Sequence, residues 1–494
     1  MFQSARLSVS FAALVVLAIV IQLTLLVGIV SAQETSASNS DQKTTTDSSK
    51  SKKKKKKKAT AAGLPIVVFT QAPTAAPVAV KSVEVVPAPE APAPGREVRA
   101  ERSPGVHVSP TGVPLGPSGG GPIIISEFRV RGPNGANDEF IELYNNSGAD
   151  HTVAGGGTGY AVAASNGVAR CVIPNGTVIP NRGHYLCVNS VGYSLASYPA
   201  GNGTTATGDA TYTTDIPDNA GIAIFNTSVA VDFILANRMD AVGSTSEANT
   251  LYKEGTGYPA LTPFSIDYAF YRDTCGKGGS ITTFGQCTID TPKDTNNNAA
   301  DFIFVDTNGT SAGAGQRLGA PGPENLSSPI QRNASFGVSL LDVCVAAASP
   351  PNRVRDFTSD PANNSTFGTL DIRRTLTNNT GGNVTRVRWR VTDITTFPAP
   401  SGIADLRPRT STAVVVTVDR PPCGSGTSNV TVQGTTLEQP PSQPNGGGFN
   451  SSLSSGTVTL ATPIANGGTL DLRFLLGIQQ TGSFKFFINV EALP

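Results

Sequence analysis

Residue types that build active sites are scarce in this chain of 494 residues, which has 3 His, 6 Cys and 1 Trp. His107, His151 and His184 lie far apart in the sequence, and this spacing predicts ordinary surface histidines. No C-x-x-C pair and no closely spaced histidine pair is present, so the common zinc-binding patterns are missing. These absences argue against a catalytic centre.

Long helix-forming runs are also missing after residue 35, and only 15% of the residues are charged. The chain instead has 52 Gly and 36 Pro, which interrupt short runs of Val, Ile, Phe and Thr. This pattern is typical of all-β folds, and the length allows two or three domains of roughly 100–200 residues. We expect two immunoglobulin-like β-sandwich domains behind a disordered N-terminal spacer.

The N-terminus carries an export signal. Arg6 precedes an apolar stretch over 11–30, and Val30-Ser31-Ala32 fits a small-residue cleavage site. The stretch is about twenty residues, which is long for a signal peptide and sufficient to span a bilayer. Residues 1–32 are therefore either a cleaved signal peptide or an uncleaved signal anchor. This segment is the only part expected to contact a membrane.

Residues 33–121 read as a disordered spacer, first rich in Ser, Thr and Lys and then in Pro and Ala. Lys50 and Lys52 to Lys58 form a basic tract within it, although the whole chain has a formal net charge of only +1. The tract either contacts an anionic lipid, polymer or DNA, or is a solvated linker, which we favour. The rest of the chain is mildly acidic, so we expect no specific nucleic-acid binding.

The six cysteines agree with export into an oxidising compartment. Their order suggests local disulfides, whereas six unpaired buried thiols are the alternative. The suggested pairs are Cys171–Cys187, Cys275–Cys287 and Cys344–Cys423.

Alternating strands begin near Pro122. The segment Ile123 to Phe128 is followed by Asn137 to Asn145, in which Phe140, Glu142 and Tyr144 share one face of a strand. Further strands are predicted over 183–189, 222–225, 266–271 and 302–305, with Gly- and Asn-rich loops between them. This pattern fits a sandwich.

These segments resemble the lamin tail domain of bacterial exported proteins. The resemblance covers about residues 122–328 and includes Gly221 to Phe225, Asp240 to Gly243 and the exit Gly319 to Pro323. It departs from the family over 152–158, which is glycine-rich where the family usually has a Gly-Trp pair. The resemblance implies an immunoglobulin-like sandwich that acts as an accessory module without a catalytic site of its own.

Residues 329–494 read as a second sandwich, similar only in style to repeats of bacterial surface proteins. In its strand over 384–391, Val387, Trp389 and Val391 point one way, and Arg386, Arg388 and Arg390 the other. Burying three arginines costs several kcal/mol each unless they are paired, so we predict a buried Trp389 and a solvated basic face. The alternative is that this face, with nearby Arg373 and Arg374, binds an anionic polymer.

Two loop motifs bear on possible chemistry. Gly309-Thr310-Ser311-Ala312-Gly313 matches G-x-S-x-G, but no helix can follow it, so it reads as a flexible loop. A loose Ca²⁺ site is a weaker possibility than Asx turns, because the loop lacks the Gly and Glu of an EF-hand. Its ligands would be Asp294, Asn296, Asn298 and Asp301.

The acidic residues of the first domain do not suggest a paired-carboxylate enzyme, because nothing in their spacing sets two of them across a cleft. They are Glu127, Asp138, Glu139 and Glu142. We expect an exported, non-catalytic envelope or extracellular protein that binds or scaffolds an envelope polymer, a glycan or a protein. The alternative is a targeting module for a separate extracellular hydrolase. No catalytic residue and no cofactor other than Ca²⁺ is predicted.

Overall fold

The structure is a computed structural model that describes 107–108, 114–115 and 121–494, apart from 200–202, 204, 262–264, 275–291, 308–315, 397–402, 420 and 439–446. The signal segment and almost all of the predicted spacer lie outside the described residues, as do Cys275, Cys287 and the G-x-S-x-G motif. The described part is an all-β fold. The described residues belong to one compact unit.

The described residues of the first part of the chain form fifteen strands, because short apolar runs alternate with turns that glycine and asparagine favour. They are β1 (His107–Val108), β2 (Pro114–Leu115), β3 (Ile123–Arg129), β4 (Phe140–Asn145), β5 (His151–Thr152), β6 (Tyr160–Ala164), β7 (Ala169–Ile173), β8 (Val178–Ile179), β9 (His184–Asn189), β10 (Ala210–Tyr212), β11 (Ile222–Phe225), β12 (Arg238–Val242), β13 (Tyr268–Arg272), β14 (Phe302–Asp306) and β15 (Gln316–Leu318). One short α-helix, α1 (Asn298–Asp301), leads into β14. Short 3-10 helices span Gly155–Gly157, Ala230–Asp232, Leu235–Asn237 and Thr250–Tyr252.

Two sheets form the first sandwich. The seven-stranded sheet has the order β10-β9-β4-β3-β13-β14-β15, and the four-stranded sheet has the order β12-β11-β6-β7. Ile141 and Leu143 lie in the apolar core between them, while Phe140 belongs to a different apolar cluster on the opposite face. The predicted division of the β4 faces is thus confirmed. β5 pairs with β8 and β1 with β2 in separate two-stranded ladders.

In the second part, the residues that the structure describes form twelve strands. They are β16 (Ile330–Gln331), β17 (Phe336–Leu340), β18 (Arg353–Asp356), β19 (Thr369–Asn378), β20 (Val384–Ile394), β21 (Asp405–Arg409), β22 (Val414–Asp419), β23 (Thr427–Val432), β24 (Thr436–Leu437), β25 (Ser452–Ile464), β26 (Thr469–Gln480) and β27 (Phe486–Leu493). Two further 3-10 helices span Asn333–Ser335 and Pro361–Asn363.

The second sandwich packs the β20 sheet (β16-β27-β20-β25-β24) on the β26 sheet (β17-β19-β26-β21, with β18 beside β19). Val387, Trp389 and Val391 are fully buried between the two sheets. Trp389 packs edge-on against Phe474 of β26, with ring centroids 5.6 Å apart. The predicted burial of Trp389 is confirmed. β22 and β23 form a separate hairpin.

The two sandwiches share one apolar cluster. It joins Phe140, Leu186 and Val188 of the seven-stranded sheet to the core of the second sandwich. The chain between β15 and β16 also pairs with the second sandwich, since Ala320 N–H donates to the Phe449 carbonyl at 3.0 Å. The outer face of the seven-stranded sheet is therefore an interface between the sandwiches.

Two disulfides agree with the predicted pairing. Cys171 of β7 and Cys187 of β9 link the two sheets of the first sandwich, with Cα atoms 6.0 Å apart. Cys344 and Cys423 are joined with Cα atoms 5.5 Å apart. The third predicted pair, Cys275–Cys287, lies outside the described residues.

Candidate functional site at the interface between the sandwiches

The outer face of β20 carries two buried arginines. Arg388 is 0% exposed and Arg390 is 5% exposed, so the predicted solvated basic face is wrong at both positions, whereas Arg386 is half-buried. The alternation of side chains along β20 was predicted correctly, because the arginines do point away from Trp389. Their face meets the first sandwich instead of water.

Carboxylates from both sides pair with these arginines, which is the condition under which charges can be buried. Glu491 lies opposite Arg388 on β27 and accepts from Arg388 Nε at 2.7 Å and from Arg390 Nε at 2.9 Å. Glu324, in the segment between β15 and β16, contacts Arg388 Nη2 and lies 3.1 Å from Arg390 Nη2. Each arginine is thus held between the same two carboxylates.

The first sandwich adds two more carboxylates. Glu127 of β3 and Glu142 of β4 are paired directly across the two strands, an arrangement that is unfavourable if both are charged. Glu127 accepts from Gly322 N–H and from Asn450 Nδ2, both at 2.8 Å. Glu142 accepts from Ser126 Oγ at 2.5 Å and from Glu324 N–H at 2.6 Å.

Gly322 shows how tightly the exit segment passes the arginines. A Cβ atom at Gly322 would lie 2.3 Å from Arg390 Nη1 and 3.0 Å from the Asn450 carbonyl oxygen. Any larger residue would have to displace the Arg390 guanidinium from its carboxylate partners. The Pro321-Gly322-Pro323 exit therefore brings the next residue, Glu324, into the cluster.

Burial and mutual repulsion separate the pKa values of these carboxyl groups. Burial raises the pKa of Glu142 well above its usual range, and the neighbouring Glu127 and Glu324 raise it further. Burial likewise raises the pKa of Glu127, and raises that of Glu324 to about 7. Glu491 differs because Arg388 and Arg390 outweigh its burial and lower its pKa to about 2.

His184 lies beside these carboxylates on β9 and is only 8% exposed, so the prediction that it is a surface histidine is wrong. The wrong prediction came from sequence distance, because β9 is paired with β4 and sets His184 next to Tyr144. Burial lowers the pKa of His184 to about 3. The imidazole is therefore neutral at physiological pH.

The cluster surrounds a cavity of about 50 Å³, which Glu127, Glu142, His184, Glu324, Arg390 and Glu491 help to line. One nitrogen of His184 and one oxygen each of Glu142 and Glu324 lie within 4.8 Å of one another. A space of this size holds water or a small ion, whereas organic ligands take sites of roughly 300–1,000 Å³. The arrangement can fix the two sandwiches together and can offer ligands to a cation.

The four candidate Ca²⁺ ligands are divided among other partners. Asp294 faces Arg272, with Oδ1 3.7 Å from Nη1, and Asp301 accepts from the Thr295 and Asn297 N–H groups. Asn298 is buried, and its Oδ1 accepts from Gly243 N–H at 2.9 Å. Asn296 N–H donates to Asp294 Oδ1 at 3.2 Å, as in an Asx turn. The side chains of this set thus organise the approach to α1 and β14.

The remaining acidic residues have separate roles. Asp138 forms a fully buried ion pair with Arg129. Glu139 accepts from Ile216 N–H at 2.6 Å and from Asn189 Nδ2 at 2.8 Å, and burial raises its pKa to about 8. His151 contacts the Tyr160 hydroxyl at 2.9 Å, away from these carboxylates. Of the four carboxylates considered in sequence, only Glu127 and Glu142 come together.

Within the described residues, no helix is long and apolar enough to cross a membrane. The apolar N-terminal stretch lies outside this part of the chain. No protein-family model matches the sequence, and searches of curated proteins and of solved structures found no match.

Proposed function

We propose that the protein is an exported, non-catalytic protein of the cell envelope, and that a lamin-tail-like sandwich over about 122–328 binds a partner there. The apolar N-terminal stretch supports export, and the two disulfides are compatible with an extracytoplasmic location. The sandwich pair serves as a scaffold. Its buried ion pairs fix one sandwich to the other.

The observation that carries the binding role is an exposed apolar segment between β11 and β12. Val231 is 86% exposed, and Ile234 and Leu235 are 50% and 53% exposed. Phe233 lies between them and is buried, stacked on Phe225 with ring centroids 4.7 Å apart. A buried anchor thus holds three aliphatic side chains outward.

This apolar segment fits a protein partner. Exposed apolar groups of this kind mark protein interfaces, where burial of the aliphatic surface drives association. The aliphatic side chains carry no groups that pair with the hydroxyls of a glycan or with the charges of an anionic polymer. An envelope protein is therefore the partner we favour.

The enclosed charged cluster supports a non-catalytic role. Its arginines are already engaged with carboxylates, and its cavity of about 50 Å³ is too small for an organic substrate.

Binding is tested with the purified mature chain, by cross-linking to isolated envelopes and by co-sedimentation with protein-free cell-wall polymer. A Val231→Asp/Leu235→Asp variant should lose at least roughly tenfold in envelope-protein cross-linking, because it places charges in the apolar contact. Val415→Asp is the matched control, since Val415 is 69% exposed on β22. Equal cross-linking by all forms, or binding to bare polymer alone, would contradict the proposed protein partner. Release of the N-terminus at Gln33, read by mass spectrometry, tests export separately.

A further inference from the structure

We propose that Glu142, His184 and Glu324 bind one divalent transition-metal cation, with Zn²⁺ as the best-fitting ion, inside the interface between the sandwiches. These residues offer one nitrogen and two oxygen ligands within 4.8 Å of one another, and all three are buried. They come from β9, β4 and the exit segment after β15. A bound ion would therefore join the seven-stranded sheet to the segment that holds both buried arginines.

His184 gives an independent indication of a ligand. Its Nδ1 lies 3.3 Å from Glu324 Oε2, but the atom is buried and forms no hydrogen bond with any of the described residues. A buried polar atom without a partner is unfavourable and is rare in native proteins. Two ligands on one tetrahedral zinc, with bonds of about 2.0–2.2 Å, lie roughly 3.4 Å apart. The separation of Nδ1 and Oε2 thus suits a shared metal ion.

The carboxylates of the cluster differ in their partners. Glu491 accepts the Nε–H groups of both arginines, whereas the donors to Glu142 are the Ser126 hydroxyl and the Glu324 N–H group. Among the described residues, Glu142 is therefore not engaged in an arginine ion pair and can face a cation beside His184.

The ligand set selects among ions. Ca²⁺ and Mg²⁺ prefer all-oxygen sites, whereas Zn²⁺ takes an imidazole nitrogen together with carboxylates. Three protein ligands leave one position of a tetrahedron, and the cavity of about 50 Å³ has room for an ion and a bound water.

The test uses the full mature chain, unfolded in guanidinium with its disulfides intact and refolded with EDTA or with Zn²⁺. Refolding gives the ion access to ligands that are buried in the native state. Metal content is measured by mass spectrometry after gel filtration, and thermal unfolding gives Tm with and without Zn²⁺. We expect one Zn²⁺ per chain and a higher Tm, because an ion that binds only the folded state stabilises it.

Histidine variants locate the ion. A His107→Gln/His151→Gln variant keeps His184 as the sole histidine and should bind Zn²⁺ as the natural chain does. His184→Gln should lose affinity by at least roughly tenfold and lose the Tm increase. Zinc retained by His184→Gln, or absent from the natural chain after refolding, would overturn the proposal.

A spectroscopic measurement keeps the test valid if His184→Gln does not fold. X-ray absorption at the zinc edge in the His107→Gln/His151→Gln variant should show one imidazole and otherwise oxygen ligands. A first shell without imidazole would place the ion elsewhere and refute the site. An excess of Ca²⁺ should leave the bound zinc in place, and displacement by Ca²⁺ would equally refute it.

Discussion

The two faces of β20 are both buried, yet they are buried in opposite ways. On one face Val387, Trp389 and Val391 fill an apolar core against the β26 sheet. On the other face Arg388 and Arg390 are enclosed with four carboxylates from three parts of the chain. The first face is stabilised by transfer of apolar surface from water, and the second depends on complete pairing of its charges.

The seven-stranded sheet shows the same contrast. Ile141 and Leu143 pack into the core of the first sandwich, whereas Glu142, between them in sequence, faces the second sandwich. Strand alternation determines which side chains share a face. It does not determine whether the second face meets water or another sheet, because that depends on packing between distant segments.

The largest expected effect comes from breaking the charged face alone. Glu491→Gln removes the carboxylate that both arginines share and leaves buried positive charge with too few partners. We expect a loss of roughly 3–5 kcal/mol in the free energy of unfolding. Urea unfolding measures this loss, and we expect the dependence of the unfolding free energy on urea concentration to have the same slope in both proteins.

Asp218→Asn is the matched control for this loss. Asp218 pairs with Arg131 at 2.9 Å, but both side chains are partly exposed. Removing this pair should cost at most about 1 kcal/mol. Similar losses in the two variants would show that the buried cluster is no more sensitive than a surface pair.

The next largest effect is expected from a change in the apolar core of the first sandwich. Cys171→Ala/Cys187→Ala removes a link across the core of the first sandwich that closes a loop with a sequence separation of 16. The expected loss is about 3 kcal/mol, because the unfolded chain without this cross-link gains entropy. Cleavage of the folded variant by a protease should increase near β7 and β9, while Trp389 fluorescence stays unchanged. Loss of the Trp389 signal in parallel would mean that the two sandwiches do not respond separately.

Acid should weaken the charged face selectively. The pKa of Glu491 is about 2 in the folded protein and near 4.5 when unfolded, so its stabilisation is present above pH 4.5. This contribution, up to roughly 3 kcal/mol, should be lost as the pH falls from 4.5 toward 2. Burial raises the pKa of Glu324 to about 7, so its contribution to the free energy of unfolding is lost as the pH rises from 4.5 through 7.

The measurement is the free energy of unfolding of the natural chain and of Glu491→Gln across pH 2–7. The difference between them should shrink below pH 4.5, since the natural chain then loses what the variant already lacks. A difference that stays constant down to pH 2 would rule out the ionised Glu491 as its source.

Much of the fold could be predicted because its apolar strands are locally distinct. The strand over 222–225 was predicted at its observed bounds, and the strand beginning at Phe302 extends by only one residue, to Asp306. β6 and β7 were missed, since Tyr160–Ala164 is mostly Ala, and Ala169–Ile173 has its β-branched residues only at its end. β25 was missed for a similar reason, because its N-terminal half is mostly Ser and Gly.

The candidate site was harder to predict, because its members are distant in sequence. The sequence identified Glu142 as an acidic residue of a strand and predicted His184 to lie at the surface. Glu324 comes directly after the exit segment Gly319 to Pro323 and was not predicted to have a role. One signal was present: Glu142 stands between Ile141 and Leu143 in a predicted strand. An acidic residue in one apolar strand could have been matched with the arginines of the strand over 384–391. The two together could have indicated that each strand has a second buried face. Only the packing of the two sandwiches reveals the partners.

The smallest expected effect is on the fluorescence of Trp389, which distinguishes the apolar face of β20 from its charged face. Trp389 is the only tryptophan, so its emission reports the apolar face of β20 alone. Trp389 is 0% exposed, and its indole Nε1 has no hydrogen-bond partner among the described residues. Native emission should therefore be blue-shifted and poorly quenched by iodide. In Glu491→Gln, under conditions where the variant remains folded, the spectrum should not change, because the lost charge lies on the opposite face of the strand. A red-shifted and quenchable Trp389 in that variant would show that the charged interface also holds the apolar core closed, and the two faces would then form a single cooperative layer.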